Sequence, residues 1–184
     1  MRKYKVAVLI GSLRAESYNK KVAQAMMRLA PEQLDMQIVE IGDLPHYNED
    51  LEDDQAPESW QRFREEMQTM DAVFFFTPEY NRSVSAVLKN ALDVGSRPYG
   101  KSIWDGKPAA VASVSMGALA GAVANHTLRQ SLVFLNMPVM QQPEIYIGSV
   151  QQLFDDEGKL NEKTEQFFGK IIQAYAKWVE KIVG

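Results

Sequence analysis

Three short polar clusters hold most of the side chains in this sequence that could do chemistry, and each directly follows an apolar run. The first, GSLRAESYNKK from Gly11 to Lys21, offers hydroxyls at Ser12 and Ser17, a guanidinium at Arg14 and an amide at Asn19. A loop of this kind between a strand and a helix turns backbone N–H groups and a positive helix end outward, which makes a seat for an anion. Neither the G-x-G-x-x-G spacing of a dinucleotide loop nor the G-x-x-x-x-G-K-[ST] spacing of a P-loop is present. Hydroxyls with one arginine suit a terminal monophosphate better than a pyrophosphate, or a triphosphate held with magnesium. The same residues also make an ordinary turn in which Ser17 or Asn19 caps the helix, and local sequence leaves both readings open.

The second cluster, TPEYNRSVSAVLKNALD, runs from Thr77 to Asp93. Pro78 holds Thr77 extended, so the chain leaves its strand in a fixed direction. Backbone held this way can present N–H and C=O groups to the edge of a flat heterocycle, with Tyr80 packed nearby. The alternative is a solvated Glu79, a half-buried Tyr80, and Asn81 or Ser83 capping the next helix. The third cluster, SVSMGALAG from Ser113 to Gly121, contains Ser115, Met116 and Gly117. Its Gly117 permits close backbone approach or merely makes a turn.

The elements that must position these clusters follow from the hydrophobic pattern. Tyr4 to Ile10, Met36 to Ile41, Asp71 to Phe76, Pro108 to Ser115 and Glu144 to Gly148 read as strands, with the third apolar and without alternation, as in a buried parallel strand. Between them, helical spacing appears in Val22, Met26 and Leu29, over Pro57 to Met70, over Ser83 to Val94 and over Leu119 to Leu135; a closing helix spans Glu162 to Val183. The stretch GDLPHYNEDLEDDQAPES is dense in turn residues and acids and reads as surface loop. Alternating strands and helices with right-handed crossovers specify an α/β fold, a five-stranded parallel sheet in one domain with helices on both faces, and the flavodoxin-like order 2-1-3-4-5 is expected for it. Strands one, three and four are then neighbours, and their loops meet at one edge. That coincidence favours an elongated ligand with a phosphate end and a planar end.

Bulk properties narrow the field further. The 184 residues suit one domain, 46% are hydrophobic, and a net charge of −4 gives no general attraction to nucleic acid. The absence of cysteine excludes thiolate nucleophiles, zinc–thiolate sites, iron–sulfur clusters and disulfides. MRKYKVAVLIGS starts like a secretory signal, but its apolar run ends at Gly11. No stretch approaches the roughly 18 apolar residues of a spanning helix, so no membrane insertion and a cytoplasmic address are expected. EDLEDDQAPE lacks the calcium-loop pattern, and His46 and His126 have no metal spacing.

On GSLRAESYN, TPEYNRSVSAVLKNALD, SMGALAG and LRQSLVFLNMPV the chain resembles, over nearly its whole length, the NAD(P)H-dependent FMN reductase family of flavodoxin-like proteins, in its bacterial quinone and chromate reductase branch. The resemblance implies that Ser12, Arg14, Ser17, Tyr18 and Asn19 hold the FMN phosphate. It implies that Pro78, Glu79, Tyr80 and Asn81 border the isoalloxazine, and that Ser115, Met116 and Gly117 approach it. It further implies FMN as cofactor, NADPH or NADH as donor, a quinone or similar electrophile as acceptor, and a ping-pong cycle. The resemblance implies a homodimer or homotetramer whose contacts, on the helix that carries Asn90 and Asp93, complete neighbouring flavin sites; two polar residues that simply face water is the other reading of that pair. Two residues depart from the pattern: Ser85 stands where proline is usual, and Arg82 where a tyrosine or other neutral residue is common. Arg82 either draws anionic reactants or faces water. The rival readings are a flavodoxin-type electron carrier, whose T-x-T-G-x-T loop is absent here, an FMN reductase that supplies reduced flavin to a partner, and a binding domain whose loops are only turns.

Overall fold

Residues 2–52, 55–155 and 157–184 are described by the computed structural model. At its centre Ala72–Thr77 (β3) is buried at every position, as is Ala109–Val114 (β4) beside it. Tyr4–Ile10 (β1) pairs with the other side of β3, Leu34–Ile38 (β2) lies outside β1, and Ile145–Ile147 (β5) lies outside β4. All pairings are parallel, as the alternation of elements leads one to expect, and the order is β2-β1-β3-β4-β5, the flavodoxin-like one.

Because side chains alternate across a strand, the sheet feeds two cores. Val6, Val8, Phe74 and Phe76 meet Tyr18–Arg28 (α1) and Glu162–Val183 (α5) on one face. Ala7, Leu9, Val73 and Phe75 meet Glu58–Gln68 (α2), Ala86–Gly95 (α3) and Ala122–Phe134 (α4) on the other. Burial on both faces explains why β3 shows an unbroken apolar run rather than alternation.

The second strand begins and ends earlier than its Met36 to Ile41 pattern suggests. Pairing starts at Tyr4 with Leu34 and ends at Val8 with Ile38. Val39 and Ile41 are buried because the chain turns there onto the α2 and α3 side, although the Val39 N–H still donates to Val8 O at 3.1 Å. Their hydrophobicity reports a core contact rather than a ladder position. The loop after β2 is also less of a surface loop than its composition implies. Leu44 is buried, Tyr47 stacks on Trp60 with centroids 5.5 Å apart, and Trp60 Nε1 donates to Pro45 O at 3.0 Å.

Asn90 fastens this loop. Its amide donates to Leu44 O and Pro45 O, each at 3.0 Å, and accepts from Tyr47 N–H at 2.8 Å. The expected subunit contact at Asn90 is therefore corrected, because the side chain is buried and fully engaged within its own chain. Asp93 remains at the surface in an ion pair with Lys89. Of the acidic stretch, Asp53 and Asp54 lie outside the described residues; Glu52 accepts both ends of the Arg64 guanidinium at 2.7 and 3.2 Å. Among the described residues no cluster of three metal-ligating side chains occurs.

Helix α3 starts at Ala86 rather than Ser83, with Ser85 as its N-cap residue. Ser85 is buried, its φ of −64° is the value proline adopts, and its hydroxyl has no hydrogen-bond partner. It also lies close to β1: a Cβ on Gly11 would come within 2.6 Å of Ser85 Oγ and 2.5 Å of Leu88 Cδ1, so only glycine fits at Gly11. The Ser85 N–H donates to no backbone carbonyl. Ser85→Pro should therefore remove an unpaired hydroxyl and stiffen the unfolded chain, stabilising by roughly 0.4–1 kcal/mol. Differential scanning calorimetry should record a Tm increase of about 1–4 °C; a lower Tm would mean that the ring collides with the Gly11 turn.

Candidate functional site

The strand pairing brings the three loops together. The Gly11 N–H donates to Phe76 O at 2.8 Å, and Thr77 faces Ser113 across β3 and β4, so the chain leaves all three strands at one edge. At about 4.8 Å between neighbouring strands these exits span roughly 10 Å, the scale of a fused-ring heterocycle.

In the first loop Ser17 is the N-cap of α1, and its Oγ accepts from Lys20 N–H at 3.3 Å. The capping reading of Ser17 is thus correct, and it does not compete with an anion seat. The first turn of α1 contains no acidic residue, so its positive end is not neutralised locally. Asn19 is 4% exposed, and its Oδ1 has no hydrogen-bond partner. An enclosed carbonyl oxygen without a partner calls for an O–H donor, a ligand hydroxyl or bound solvent, whereas the Nδ2 of the same amide is the atom that can donate to an anion. Arg14 is exposed and forms no ion pair among the described residues, and Ser12 is half-buried. Glu16 is taken up by Lys21 at 2.9 Å; the hydrogen bond and charge of Lys21 hold its carboxyl below the ordinary range. Tyr18 is half-buried and packs against the α1 core, with the Lys21 ammonium 5.7 Å above its ring.

The second loop is a tight turn. Tyr80 and Ser83 exchange both backbone hydrogen bonds, at 3.3 and 3.0 Å, around Asn81 and Arg82 with φ of 50° and 60°. Two successive left-handed residues make a type I′ geometry, in which asparagine is favoured first and glycine second. Neither Asn81 nor Ser83 caps α3. Nor is Glu79 solvated: its side chain is 9% exposed, its Oε2 accepts from Ala124 N–H at 3.1 Å, and its Oε1 pairs with the Arg82 guanidinium. Pro78 is buried, while the Tyr80 ring stands out at the edge.

The third loop returns along β5. Ser115 N–H donates to Ile147 O at 2.9 Å, its carbonyl accepts from Val150, and its Oγ accepts from Gly117 N–H at 3.1 Å. Gly117 has no positive φ, and a Cβ there would meet only Ser115 Oγ at 3.6 Å. Nothing inside the chain requires glycine at this position. Met116 and Leu119 are each more than half exposed, as are Leu13 and Tyr80. Exposed apolar side chains from three loops thus stand at the sheet edge that also holds the Asn19 oxygen at the start of α1. The types and spacing of the clusters predict Met116 and Tyr80; Leu13 and Leu119 were not singled out, because an exposed leucine has no local signature.

Beyond this edge, Asn125 is buried and donates to Val111 O, Ser113 Oγ and Ile145 O at 3.2–3.4 Å, tying α4 to β4 and β5. His126 is exposed, with Nε2 2.9 Å from Tyr146 Oη, which donates to Glu144. A cleft of about 850 Å³ lies elsewhere, between α3, α4 and the loop from Arg97 to Asp105.

An open flavodoxin-like sheet with three loops gathered where the chain leaves β1, β3 and β4 defines the fold class of flavin-type α/β proteins. The chain belongs to the NADPH-dependent FMN reductase family, whose pattern it matches over residues 4–152. It is 62% identical over 177 residues to a quinone reductase of Pseudomonas putida, covering 96% of this chain and 95% of that protein. It is 42% identical over 176 residues to a 2-hydroxy-1,4-benzoquinone reductase of Burkholderia, covering 95% and 96%. Among solved structures, the flavoenzyme NAD(P)H:(acceptor) oxidoreductase FerB of Paracoccus denitrificans superposes with a TM-score of 0.91 at 41% identity, over 97% of this chain and 98% of that one.

Glu79 generates a pH prediction. Burial opposes its ionisation, but the Ala124 N–H and the Arg82 guanidinium outweigh that, and its carboxyl is held below the ordinary 4.5. A depressed carboxyl contributes stability above its unfolded pKa and loses it as pH falls through the folded one. The Tm difference between the native protein and Glu79→Gln should be constant above about pH 5 and should shrink below it. A difference that stays constant down to pH 3 would refute the assignment.

Proposed function

We propose that this chain is a cytoplasmic, single-domain, FMN-dependent NAD(P)H oxidoreductase whose acceptor is a quinone or a similar small electrophile. One observation carries the reading: an uncompensated helix N-terminus for an anion, an enclosed Asn19 oxygen that a ligand hydroxyl can donate to, and exposed apolar side chains share one sheet edge. A phosphate and a flat ring joined by a short polar chain fit that pairing. The identities to the quinone reductases and to FerB support the class of donor and acceptor. Among the described residues no helix is long and apolar enough to cross a membrane.

In this reading Ser12, Arg14, Ser17, Tyr18 and Asn19 hold the phosphate. Arg14 supplies charge, Ser12 and the Asn19 amide supply hydrogen bonds, Ser17 fixes the helix start, and Tyr18 anchors the loop to the core. Pro78, Glu79, Tyr80 and Asn81 border the ring: the proline and the turn fix the backbone, and Glu79 fastens it to α4. Ser115, Met116 and Gly117 close the third side, with Gly117 leaving room for approach. FMN held by these residues would supply two-electron hydride chemistry between NAD(P)H and the acceptor. The backbone of the second and third loops would orient the ring, and the exposed side chains of Tyr80 and Met116 would meet the reactants there.

Native cofactor extraction should yield FMN, and FAD or no flavin would overturn the reading. Arg14→Ala should weaken FMN binding by one to two decades, the value of one charge-assisted contact at roughly 1.5–3 kcal/mol, with near-normal turnover at saturating flavin. An unchanged Kd in a flavin titration would move the phosphate elsewhere.

The working unit is a homodimer or a homotetramer built from it, and the cleft beside α3 and α4 is the surface that supports this. Phe134 and Tyr99 are almost fully exposed on its rims, and Val133 adds to the patch. Large apolar side chains beside a groove on one face are self-complementary about a two-fold axis. In sedimentation at assay concentration the native chain should run larger than a monomer and Phe134→Asp should shift it toward monomer. A native monomer with full activity would refute the assembly.

A further inference from the structure

Arg82 occupies the second central position of the Tyr80–Ser83 turn with φ of 60°, where glycine would be free of strain. A long charged side chain is thereby held at the tip of a rigid turn, on the same edge as Tyr80, Met116 and Leu119. Its side chain is 64% exposed, and among the described residues its hydrogen-bond partner is Glu79. The two members of this pair are anchored very differently. Glu79 is enclosed, and its other oxygen takes the Ala124 N–H at the head of α4. No acidic residue stands in the first turn of α4, so Glu79 serves that helix end from a different element.

This asymmetry permits the pair to open. If the guanidinium leaves, Glu79 keeps a backbone N–H and the positive end of a helix, so no uncompensated carboxylate is stranded. The local charge balance favours departure toward an anion: one carboxylate faces a full guanidinium charge plus the helix end, worth roughly half a charge, and the excess is positive. The nearby charges on α3 do not compete, since Lys89 and Asp93 neutralise each other.

We propose that the Glu79–Arg82 pair is a latch that sets reactant preference: Arg82 swings from Glu79 to a carboxylate, sulfonate or phosphate on the reactant, while Glu79 stays on α4 and keeps the turn in place. Arg82 is then a specificity determinant rather than a catalytic residue, and Glu79 restrains it. The inference rests on the flavin-oxidoreductase reading of the site. The anionic group can belong to the acceptor or to the 2′-phosphate of the donor, and separate arms of one experiment distinguish these sources.

The test uses the FMN-saturated protein and measures kcat/KM for neutral 1,4-benzoquinone against a naphthoquinone sulfonate, and for NADH against NADPH. Arg82→Gln should lower the charged-to-neutral ratio by about 3- to 10-fold in whichever arm carries the anion, as expected for loss of one partly screened charge. Arg82→Gly, which relaxes the turn, should give the same loss. Glu79→Gln should raise the ratio by freeing the guanidinium, and the Glu79→Gln, Arg82→Gln double variant should match Arg82→Gln alone. Added salt should reduce the native ratio toward that of the variant. Equal losses for charged and neutral reactants, recovered in Arg82→Gly, would make Arg82 a turn residue and overturn the latch. Unchanged ratios in both arms, or a Glu79→Gln ratio that falls, would also overturn it. FMN affinity is measured on every variant: failure with FMN bound defeats the latch alone, whereas a native chain that binds no FMN defeats the reading of the site as well.

Discussion

Gly11 hands its N–H to Phe76 O, and one strand further on Thr77 stands in register with Ser113. These contacts fix where three loops leave the sheet. The strands that make them are buried on both faces, so a shift of register by one residue would move every side chain of β3 into the opposite core. Phe74 and Phe76 are committed to the α1 and α5 side, and Phe75 to the α2 and α3 side. The exits of the loops are therefore set by packing far from the site, and the polar groups inherit their positions from it.

Once the exits are fixed, local devices divide the work. The first loop owes its geometry to a glycine that nothing larger could replace and to a serine cap, and it leaves an amide and a helix end without partners. The second owes its geometry to a proline and a turn with two left-handed residues, locked by Glu79 onto α4. The third is tied to β5 by backbone hydrogen bonds. The second and third loops thus engage their polar groups within the chain, while the first leaves Arg14 and the Asn19 oxygen without partners among the described residues. That contrast matches a ligand whose charged end needs side chains and whose flat end needs fixed backbone and an apolar shelf.

The same economy governs the surfaces around the site. Asn90, on the helix that follows the second loop, is turned inward to hold the Leu44 to Tyr47 segment, so it cannot serve a partner subunit. The exposed apolar side chains of that region are instead Tyr99, Val133 and Phe134, around the cleft between α3 and α4. Burying them against a second copy would leave the three-loop edge open to reactants.

The order of elements and the three clusters were legible in the sequence because they are written in local periodicity: unbroken apolar runs for strands buried on both faces, three-and-four spacing for helices, and Gly, Pro and Ser at their junctions, while the sheet order followed from the doubly wound fold that such alternation builds. The closing helix from Glu162 to Val183 was readable to its ends for the same reason. What periodicity cannot express is which partner a side chain finds across the fold. Val39 and Ile41 look like strand residues but are core residues of a turning chain, and Asn90 looks like a surface amide but is a buried clasp. Glu79 and Arg82, three residues apart, look like two solvated charges in a loop. Only the tertiary structure decides that one is enclosed at the head of α4, 45 residues away in sequence, and the other is held beside it, because hydrogen-bond partners at such separation depend on the packing of β3 against β4 and leave no trace in local spacing.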